Sequence, residues 1–285
     1  MHNTMTVQDF FRRFPTDDAC LAHLMRFRYG ESLECPRCKQ AGKFHRIKKI
    51  PAYECQWCGY HIHPMVGTPF EDSHTALQKW FYAMYLFTTS RHGVPAKELQ
   101  RQLGVTYKTA WRIGHEIRKY MAEIDGDDRL SGHVEADETM IGGRRSGKRG
   151  RGAAGKTIVF GMLQRKGDIM TRVVPDATRN TLHGIIEQHV AKQSTISTDE
   201  LTSYKTLDAK GYAHGTVEHG TKEYVRGIHH VNSVEGFWSQ IKRSIKGTHI
   251  HVSKQHLAKY LGEFEFRYNL RATPSLMFDR LVMGF

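Results

Sequence analysis

The spacing of apolar residues along the chain predicts helical ends around a middle that is rich in strands. Apolar side chains recur at helical intervals over residues 7–28 and again from residue 75 to about residue 121. A further helical stretch covers residues 181–192, and from about residue 232 the pattern is mostly helical. Three stretches have the character of strands: 133–143, 156–176 and 194–200. Strands that alternate with helices predict an α/β domain behind smaller N-terminal modules.

The charge balance points to a polyanionic partner. The chain has 285 residues, 39% of them hydrophobic and 25% charged, which is typical of a folded protein. Its formal net charge of +13 attracts polyanions, with nucleic acid as the first candidate and an acidic membrane surface as the alternative. No apolar run approaches the roughly 20 residues of a membrane span, and no secretory signal opens the chain. We therefore expect a cytoplasmic, nucleoid-associated protein.

Four of the five cysteines form two CxxC pairs, which predict a structural zinc site. Sixteen residues separate the pairs, which are Cys35 with Cys38 and Cys55 with Cys58. Two such pairs joined by a hairpin can place four thiolates around one Zn²⁺ and leave no open position for catalysis. The alternative is a redox dithiol, which this spacing does not favour. We predict a zinc ribbon over residues 31–72 behind a helical segment at residues 1–30.

Residues 95–120 contain a helix, a glycine and a second helix, which is the order of a helix-turn-helix. Gly104 would allow the turn between the two helices. The pattern predicts that Trp111 is buried and that His115 lies on the exposed face. Three more side chains of that face would contact DNA: Tyr107, Lys108 and Arg112. An ordinary helical hairpin is the alternative, and we assign residues 73–124 to a helix-turn-helix domain.

Three acidic residues lie on separate predicted elements. Asp137 lies on one strand, Asp199 ends another, and Glu235 opens a helix. Carboxylates from three elements can converge on two Mg²⁺ ions, the arrangement for in-line phosphoryl transfer. Lys242, two helical turns after Glu235, would hold a phosphate. The alternative is that these acids are solvated surface groups, and the spacing of the residues alone does not decide between the two.

A basic, glycine-rich stretch follows the first acid. Residues 142–156 contain six basic residues and no acid. Such a composition cannot form a packed core, so we predict a flexible arm that holds DNA phosphates beside the scissile bond. A solvated charge run is the alternative. The residues assigned to this contact are Arg144, Arg145, Lys148, Arg149 and Arg151.

Several stretches of the chain resemble bacterial insertion-sequence transposases of the DDE class, the kind with an N-terminal zinc ribbon. They are "CPRC…CQWC", "VEADETMIGG", "STDELTSY" and "HVNSVEGFWSQIKRSIKGTHIHVSKQHLAKYLGEFEFRYN". The resemblance implies a ribonuclease H-like catalytic domain over residues 132–285, an α/β fold whose mixed sheet is flanked by helices. It also implies that Asp137, Asp199 and Glu235 are catalytic and hold Mg²⁺ or Mn²⁺, with Lys242 beside them.

Two residues of one predicted helix, Glu235 and Asn232, are candidates for the third metal ligand. Related transposases sometimes carry an asparagine as the third residue, and Asn232 lies one turn before Glu235 on the same face. We favour Glu235 because an anionic oxygen holds Mg²⁺ better than an amide oxygen does, and we assign to Asn232 the orientation of a ligand or a water. Glu138 directly follows Asp137, so we expect it on the opposite face of the strand and outside the site.

Together these inferences predict a DNA transposase. It would bind the terminal inverted repeats of an insertion sequence, cleave them, and join the ends to target DNA with the same metal site. Its partner is double-stranded DNA, and since two ends must be held together we expect a homo-oligomer. Two alternatives remain: a regulator that binds DNA through the ribbon and the helix-turn-helix, with an idle α/β domain, and a stand-alone nuclease of the same fold.

Overall fold

The chain folds into two compact units. A computed structural model describes residues 5–124, 129–142 and 156–284. Within these ranges, unit 1 contains residues 5–89, 96–117 and 273–284, and unit 2 contains residues 90–95 and 118–272. In the described ranges we find no helix with the length and the apolar character that a bilayer crossing requires.

The elements follow one another along the chain as helices, short strands, helices, a larger sheet and further helices. The helices are α1 (Val7–Arg13), α2 (Asp17–Tyr29), α3 (Leu77–Thr89), α4 (Ala96–Leu103), α5 (Tyr107–Ile124), α6 (Arg179–His189), α7 (Asn232–Ser244), α8 (Lys254–Asn269) and α9 (Met277–Met283). The strands are β1 (Leu33–Glu34), β2 (Ala41–Gly42), β3 (Phe44–Ile47), β4 (Ala52–Cys55), β5 (His61–Ile62), β6 (His133–Ile141), β7 (Thr157–Gln164), β8 (Ile169–Val174), β9 (Thr195–Thr198) and β10 (Ala213–Thr216).

The core of unit 1 joins helices from both ends of the chain. The ring of Phe278 in α9 lies 6.1 Å from that of Phe10 in α1 and 5.6 Å from that of Phe14. Aromatic rings at these distances contribute packing energy beyond the area that they bury. We predicted one domain over residues 132–285, and the structure groups residues 273–284 with unit 1 instead, because Phe278 has its aromatic partners there.

The helical pattern predicted over residues 7–28 is interrupted in its first half. Helix α1 ends before Phe14, whose ψ of 64° is not helical. The next residue is Pro15, and the residue before a proline is disfavoured in the helical conformation. Thr16 then begins α2 by accepting a hydrogen bond from the Ala19 backbone N–H (3.2 Å). Two helices therefore replace the single predicted one.

Unit 2 is built on a mixed sheet of five strands in the order β10-β9-β6-β7-β8. Strands β6, β7 and β8 are antiparallel neighbours, whereas β9 runs parallel to β6, and β10 runs parallel to β9. The stretches that the sequence marks as strands form β6 to β9, and β10 was not predicted. The central strand is β6, which carries the first of the predicted catalytic acids.

Side-chain alternation along the strands divides the core of unit 2 into two clusters, one on each face of the sheet. In β7, Val159 and Leu163 belong to the cluster that contains residues of α7 and α8. Phe160 and Met162 of the same strand belong to the cluster that contains residues of α6. Helices therefore cover both faces of the sheet.

Side chains of α8 form hydrogen bonds with backbone groups of the edge strand β8. Asn269 Oδ1 accepts a hydrogen bond from Ile169 N (2.8 Å), and its Nδ2 donates to Ile169 O (3.0 Å). Glu265 Oε1 accepts from Thr171 N (2.9 Å). These bonds pair backbone groups that an uncovered edge would leave open to another chain.

Glu265 should make the stability of unit 2 depend on pH. Burial raises the pKa of its carboxyl to about 7, so the folded protein holds this proton more tightly than the unfolded chain does. The stability from the protonated form is complete below the pKa of about 4.3 in the unfolded chain, and it is lost as the pH rises through the folded pKa. Glu265→Gln has no proton to lose in this range, so its stability should not fall, and its amide oxygen can still accept the hydrogen bond from Thr171.

Urea unfolding at about pH 5 and about pH 8 tests this expectation. Between about pH 5 and about pH 8 the wild type should lose roughly 1–3 kcal/mol of unfolding free energy that Glu265→Gln does not lose. The variant Glu187→Gln, which alters an exposed pair with Lys192, should follow the wild type. Parallel pH dependences of Glu265→Gln and wild type would contradict the assignment.

Candidate active site and zinc centre

The paired cysteines meet at one point of unit 1, among the short antiparallel strands β1 to β5. The sulfur of Cys35 lies 3.6 Å from that of Cys58, and the sulfur of Cys38 lies 3.9 Å from that of Cys55. All four sulfur atoms lie within 4.8 Å of one another. Sulfurs arranged as a tetrahedron about 2.3 Å from one Zn²⁺ are about 3.8 Å apart. The cysteines therefore fit a structural zinc site, as predicted.

The two cysteine knuckles are closed by the same backbone hydrogen bonds. In the first knuckle Lys39 N donates to Cys35 O (2.9 Å), and Cys35 N donates to Gln40 O (3.0 Å). The second knuckle repeats both bonds twenty residues later, with Gly59 and Tyr60 in the equivalent positions. Lys39 and Gly59 both have positive φ, 61° and 69°. Each knuckle therefore turns back in the same way and directs its two sulfurs to the shared point.

Strand β6 presents carboxylates to both faces of the sheet. Asp137 Oδ2 accepts a hydrogen bond from Trp238 Nε1 of helix α7 (3.0 Å). Glu135, two residues earlier on the same face, accepts from Ser233 N of that helix (2.8 Å). Glu138 lies on the opposite face, as predicted, and accepts from the Tyr204 hydroxyl (2.7 Å). Asp137 and Glu135 thus both face α7.

A glycine makes room for the indole that contacts Asp137. Gly161 of β7 pairs with Asp137 across the sheet. A Cβ at this position would lie 2.4 Å from Cζ2 of Trp238, far inside contact distance. The hydrogen bond between Trp238 and Asp137 therefore depends on a residue without a side chain at position 161.

Asp199 directly follows β9, the parallel neighbour of β6. The ladder between the two strands ends with Glu135 opposite Ser197, so Asp137 and Asp199 each lie two residues further in the same direction. Asp199 Oδ1 accepts a hydrogen bond from Leu201 N (2.9 Å), which fixes the carboxylate in the turn after the strand.

Glu235 lies in the first turn of α7, where its side chain is 44% exposed. Its Oε1 is 3.6 Å from Nδ1 of His219. The carboxylate of Glu200 accepts hydrogen bonds from His219 N (2.9 Å) and Gly220 N (3.3 Å). The residue after Asp199 therefore holds the turn that brings His219 to Glu235.

Asp199 and Glu235 both lie close enough to Asp137 to affect its ionisation. Burial raises the pKa of Asp137 to about 8, and the negative charges of Glu138, Asp199 and Glu235 contribute to the rise. The hydrogen bond from Trp238 acts in the opposite direction without cancelling them. Among the described residues only the four cysteines bring three or more ligand atoms within 4.8 Å of one another. The carboxylate oxygens of the three acids therefore do not all lie within 4.8 Å of one another.

The other two residues predicted for this site lie on α7 and are exposed. Asn232 is the first residue of the helix, and Lys242 lies near its end. In the part of the chain that the structure describes, neither side chain forms a hydrogen bond or an ion pair with the three acids. Their catalytic roles stay predictions.

Helices α4 and α5 are joined by a turn at Gly104, whose φ is +58°. The side chains predicted to contact DNA are all exposed at the start of α5: Tyr107, Lys108 and Arg112. Arg112 also donates a hydrogen bond to Ser73 Oγ (3.0 Å). The two helices and the glycine are where they were predicted, and their use as a helix-turn-helix on DNA stays a proposal.

The prediction for two residues of α5 was wrong. Trp111 is 39% exposed and His115 is 4% exposed, the reverse of what the pattern indicated. The two rings stack with centroids 3.9 Å apart. The buried face of the helix is formed by residues spaced three and four apart: Ala110, Ile113 and Ile117. Trp111 lies at the edge of this face, and its ring shields His115 from solvent.

The basic stretch after Gly142 carries the remaining predicted DNA contacts. These residues lie outside the described ranges: Arg144, Arg145, Lys148, Arg149 and Arg151. Their assignment stays a prediction from the sequence.

Residues that hold the acids in place were missed by the sequence analysis. Glu135 carries no motif of its own, although its position two residues before Asp137 puts it on the same strand face. Trp238 lies three residues after Glu235 on the same side of the helix, but this spacing does not indicate a hydrogen bond to Asp137. His219 and Glu200 come together only through the fold, and no local pattern indicates them.

Zinc removal should unfold the ribbon, because so small a module has little core without its metal. We expect a chelator, or the variant Cys38→Ser, to release one zinc ion per chain and to expose residues 31–72 to proteases. Cys20→Ala is the control, since Cys20 is fully buried and lies outside the cluster. Zinc content and limited proteolysis measure both effects. A chelated chain whose ribbon stays protected would contradict the role of the metal.

Comparisons with known proteins agree with this arrangement. Residues 129–269 match the ISXO2-like transposase domain, and residues 15–61 match the transposase zinc-ribbon domain. An uncharacterized protein in transposable element ISH50 of Halobacterium salinarum is 29% identical over 272 residues, which cover 88% of this chain and 90% of that protein. An uncharacterized transposase-like protein of Haemophilus influenzae is 32% identical over 101 residues, which cover 35% of this chain and 80% of that protein.

A solved structure, the Mos1 strand transfer complex, aligns with 72% of this chain and 77% of its own. The TM-score of 0.29 and the identity of 12% are too low to carry an argument about fold or chemistry. The family therefore rests on the sequence matches to the transposase domain, to the zinc ribbon and to the two relatives. On these matches the chain belongs to the ISXO2-like transposase family, with a transposase zinc ribbon before the transposase domain.

Proposed function

We propose that this transposase binds the terminal inverted repeats of an insertion sequence in the cytoplasm, cuts the DNA there and joins the ends to a target. The observation that carries the proposal is the placement of three acids: Asp137 lies on the central strand, Asp199 follows its parallel neighbour, and Glu235 lies on the helix whose Trp238 donates to Asp137. Burial raises the pKa of Asp137 to about 8, and the charges of Asp199 and Glu235 contribute to the rise. A solvated surface acid does not show so high a pKa, whereas acids of functional sites often do.

The architecture of unit 2 supports a ribonuclease H-like catalytic domain. Three antiparallel strands follow in chain order, and two parallel strands extend the sheet on the side of β6. Helices lie on both faces, in agreement with the mixed, helix-flanked sheet that the family resemblance implies. Asp137 lies on the central strand and Asp199 follows its neighbour, so the sheet itself brings two of the acids together.

The donors at this site fit divalent cations. Asp137, Asp199 and Glu235 offer carboxylate oxygens, which Mg²⁺ and Mn²⁺ prefer. A cation would relieve the repulsion that contributes to the raised pKa of Asp137. Three carboxylates from separate elements are the donor set for two ions about 3.5–4 Å apart. When bound, such ions would supply an activated water or 3′-hydroxyl and stabilise the leaving oxygen.

The chain's own side chains would orient the reaction. The indole N–H of Trp238 directs one oxygen of Asp137 and leaves the other for a ligand. Lys242 would hold a DNA phosphate through its charge, and Asn232 would orient a ligand or a water. Both are exposed on α7, where DNA can reach them.

DNA binding is proposed for the basic parts of both units. The net charge of +13 favours a polyanion. Tyr107, Lys108 and Arg112 would contact one DNA end from α5, and the basic stretch after Gly142 would hold phosphates near the acids. Because two transposon ends must be cut and joined together, we propose a homo-oligomer on DNA.

Two other functions are separable from a transposase. A DNA-binding regulator would not need coupled acids beside a buried strand, so the raised pKa of Asp137 argues against it. A stand-alone nuclease would use the same acids but would form no joined products. Labelled transposon ends incubated with a target plasmid distinguish the nuclease from the transposase.

Replacing any of the three acids should abolish cleavage and leave DNA binding intact. Loss of a metal ligand removes several kcal/mol of transition-state stabilisation, so we expect at least about a 100-fold drop in metal-dependent cleavage. The variants are Asp137→Asn, Asp199→Asn and Glu235→Gln. Cleavage of labelled inverted repeats and gel-shift binding measure the two properties.

Controls for this experiment come from the same unit. Asp168→Asn, at an exposed position between β7 and β8, should cleave like the wild type. Asn232→Ala should lose less cleavage than Glu235→Gln, because we assign Asn232 an orienting role. Full activity in any one of the three acid variants would contradict the site assignment.

The hydrogen bond from Trp238 to Asp137 should matter for cleavage more than for stability. Trp238→Phe keeps an aromatic ring in the core and removes the N–H donor. A hydrogen bond to a charged group contributes about 1.5–3 kcal/mol, so cleavage should drop by about 10- to 100-fold. Trp57→Phe, at a 59% exposed indole of the ribbon, is the matched control. Unchanged cleavage by Trp238→Phe, with DNA binding intact, would refute the role.

A further inference from the structure

Glu135 is a carboxylate with no exposed surface that caps a helix distant in sequence. Val231, the residue before α7, makes no side-chain cap. Glu135 Oε2 instead accepts hydrogen bonds from the first-turn groups Ser233 N (2.8 Å) and Val234 N (3.2 Å). Its Oε1 accepts from Ser233 Oγ (3.0 Å). Strand β6 therefore supplies the cap that the helix's own sequence lacks.

Arg165 compensates the charge of Glu135, and His230 lies beside the same carboxylate. Arg165 Nε donates to Glu135 Oε1 (2.8 Å), and His230 Nδ1 lies 3.2 Å from the same oxygen. The other nitrogens of Arg165 donate to Ile228 O (2.7 Å) and His230 O (3.1 Å). The same arginine thus holds the segment that enters α7. A buried carboxylate is stable only with such partners, and removing one leaves the charge uncompensated.

Strand β6 and helix α7 are joined at two points that bracket a predicted catalytic acid. The first is Glu135 with Ser233 and Val234, and the second is Asp137 with Trp238. Two residues of strand span about 6.7 Å, and the four residues from Val234 to Trp238 span about 6 Å of helix. The two spacings agree, so the contacts are compatible with a single placement of the helix.

We propose that Glu135 is a positioning residue, which fixes α7 on β6 and so sets Glu235 opposite Asp137 for metal binding. This inference rests on the proposed function, because it takes the acids to be metal ligands. Glu235 lies one residue after Val234, whose N–H the Glu135 carboxylate holds. Its own side chain is partly exposed and contacts His219 only at 3.6 Å, so its placement follows the helix backbone.

A purely structural role for Glu135 makes a different prediction. A buried ion pair that only stabilises the fold would change the melting temperature when altered and leave metal affinity unchanged in the folded protein. A positioning role lowers metal affinity in protein that is fully folded. Residues that orient metal ligands typically change metal affinity by about 10- to 100-fold when replaced.

Terbium luminescence on the full-length, zinc-loaded chain separates these roles without relying on activity. Tb³⁺ is a hard ion, and bound at the acids it would be sensitised by the indole of Trp238, which contacts Asp137. We expect Glu135→Gln to weaken Tb³⁺ binding by about 10- to 100-fold in protein that is still folded, with zinc content and DNA affinity near those of the wild type and a lower melting temperature because Arg165 loses its charged partner. The control Glu187→Gln, which alters a partly exposed glutamate of α6, should bind Tb³⁺ like the wild type.

Two further variants make every outcome informative. Asp137→Asn should remove the Tb³⁺ signal. If Asp137→Asn loses the signal and Glu135→Gln binds Tb³⁺ like the wild type, positioning by Glu135 is refuted and the proposed function stands. If Asp137→Asn itself binds Tb³⁺ normally, the metal site fails, and with it both proposals. Should Glu135→Gln not fold, Ser233→Ala removes one hydrogen bond to Glu135 and should weaken Tb³⁺ binding by about two- to tenfold. Unchanged binding by Ser233→Ala would then refute positioning.

Discussion

Negative charge buried beside strand β6 is the constraint on which the rest of unit 2 depends. Burial and neighbouring acids raise the pKa of Asp137 to about 8, so the cluster is unfavourable for a domain with no cation. The fold offsets part of this repulsion with an indole donor from Trp238, and Arg165 separately pairs with the buried Glu135 on the same strand. A pair of divalent ions would offset the remainder. Without a cation Asp137 therefore holds a proton at neutral pH, and a bound cation would take the place of that proton.

Local patterns in the sequence were sufficient for the elements that carry the acids and the cysteines. The two knuckles repeat the same short motif, and β6, β7, β8, β9 and α7 show their own periodicity. Strand β10, by contrast, was missed because "AHGT" is a short edge strand without apolar alternation. The break at Pro15 was readable from the sequence, yet the helical spacing of the apolar residues outweighed it.

The contacts that place the acids could not be predicted from local patterns. Ser233 and Glu135 are 98 residues apart, and Trp238 and Asp137 are 101 residues apart. Trp238 was indicated as a core residue by its helical spacing, and it is indeed buried. That spacing gives no sign of its hydrogen bond to a carboxylate on a strand. The spacing of residues predicts which side chains share a face of one helix or strand. Which faces of two elements pack together depends on the tertiary fold.

Anomalous diffraction from crystals soaked in Mn²⁺ tests the central claim most directly. The zinc among the four cysteines provides an internal reference in the same crystal. The account predicts additional anomalous peaks in contact with the carboxylates of Asp137, Asp199 and Glu235. A clear zinc peak with no anomalous density between these three carboxylates, at a Mn²⁺ concentration that supports DNA cleavage, would contradict it.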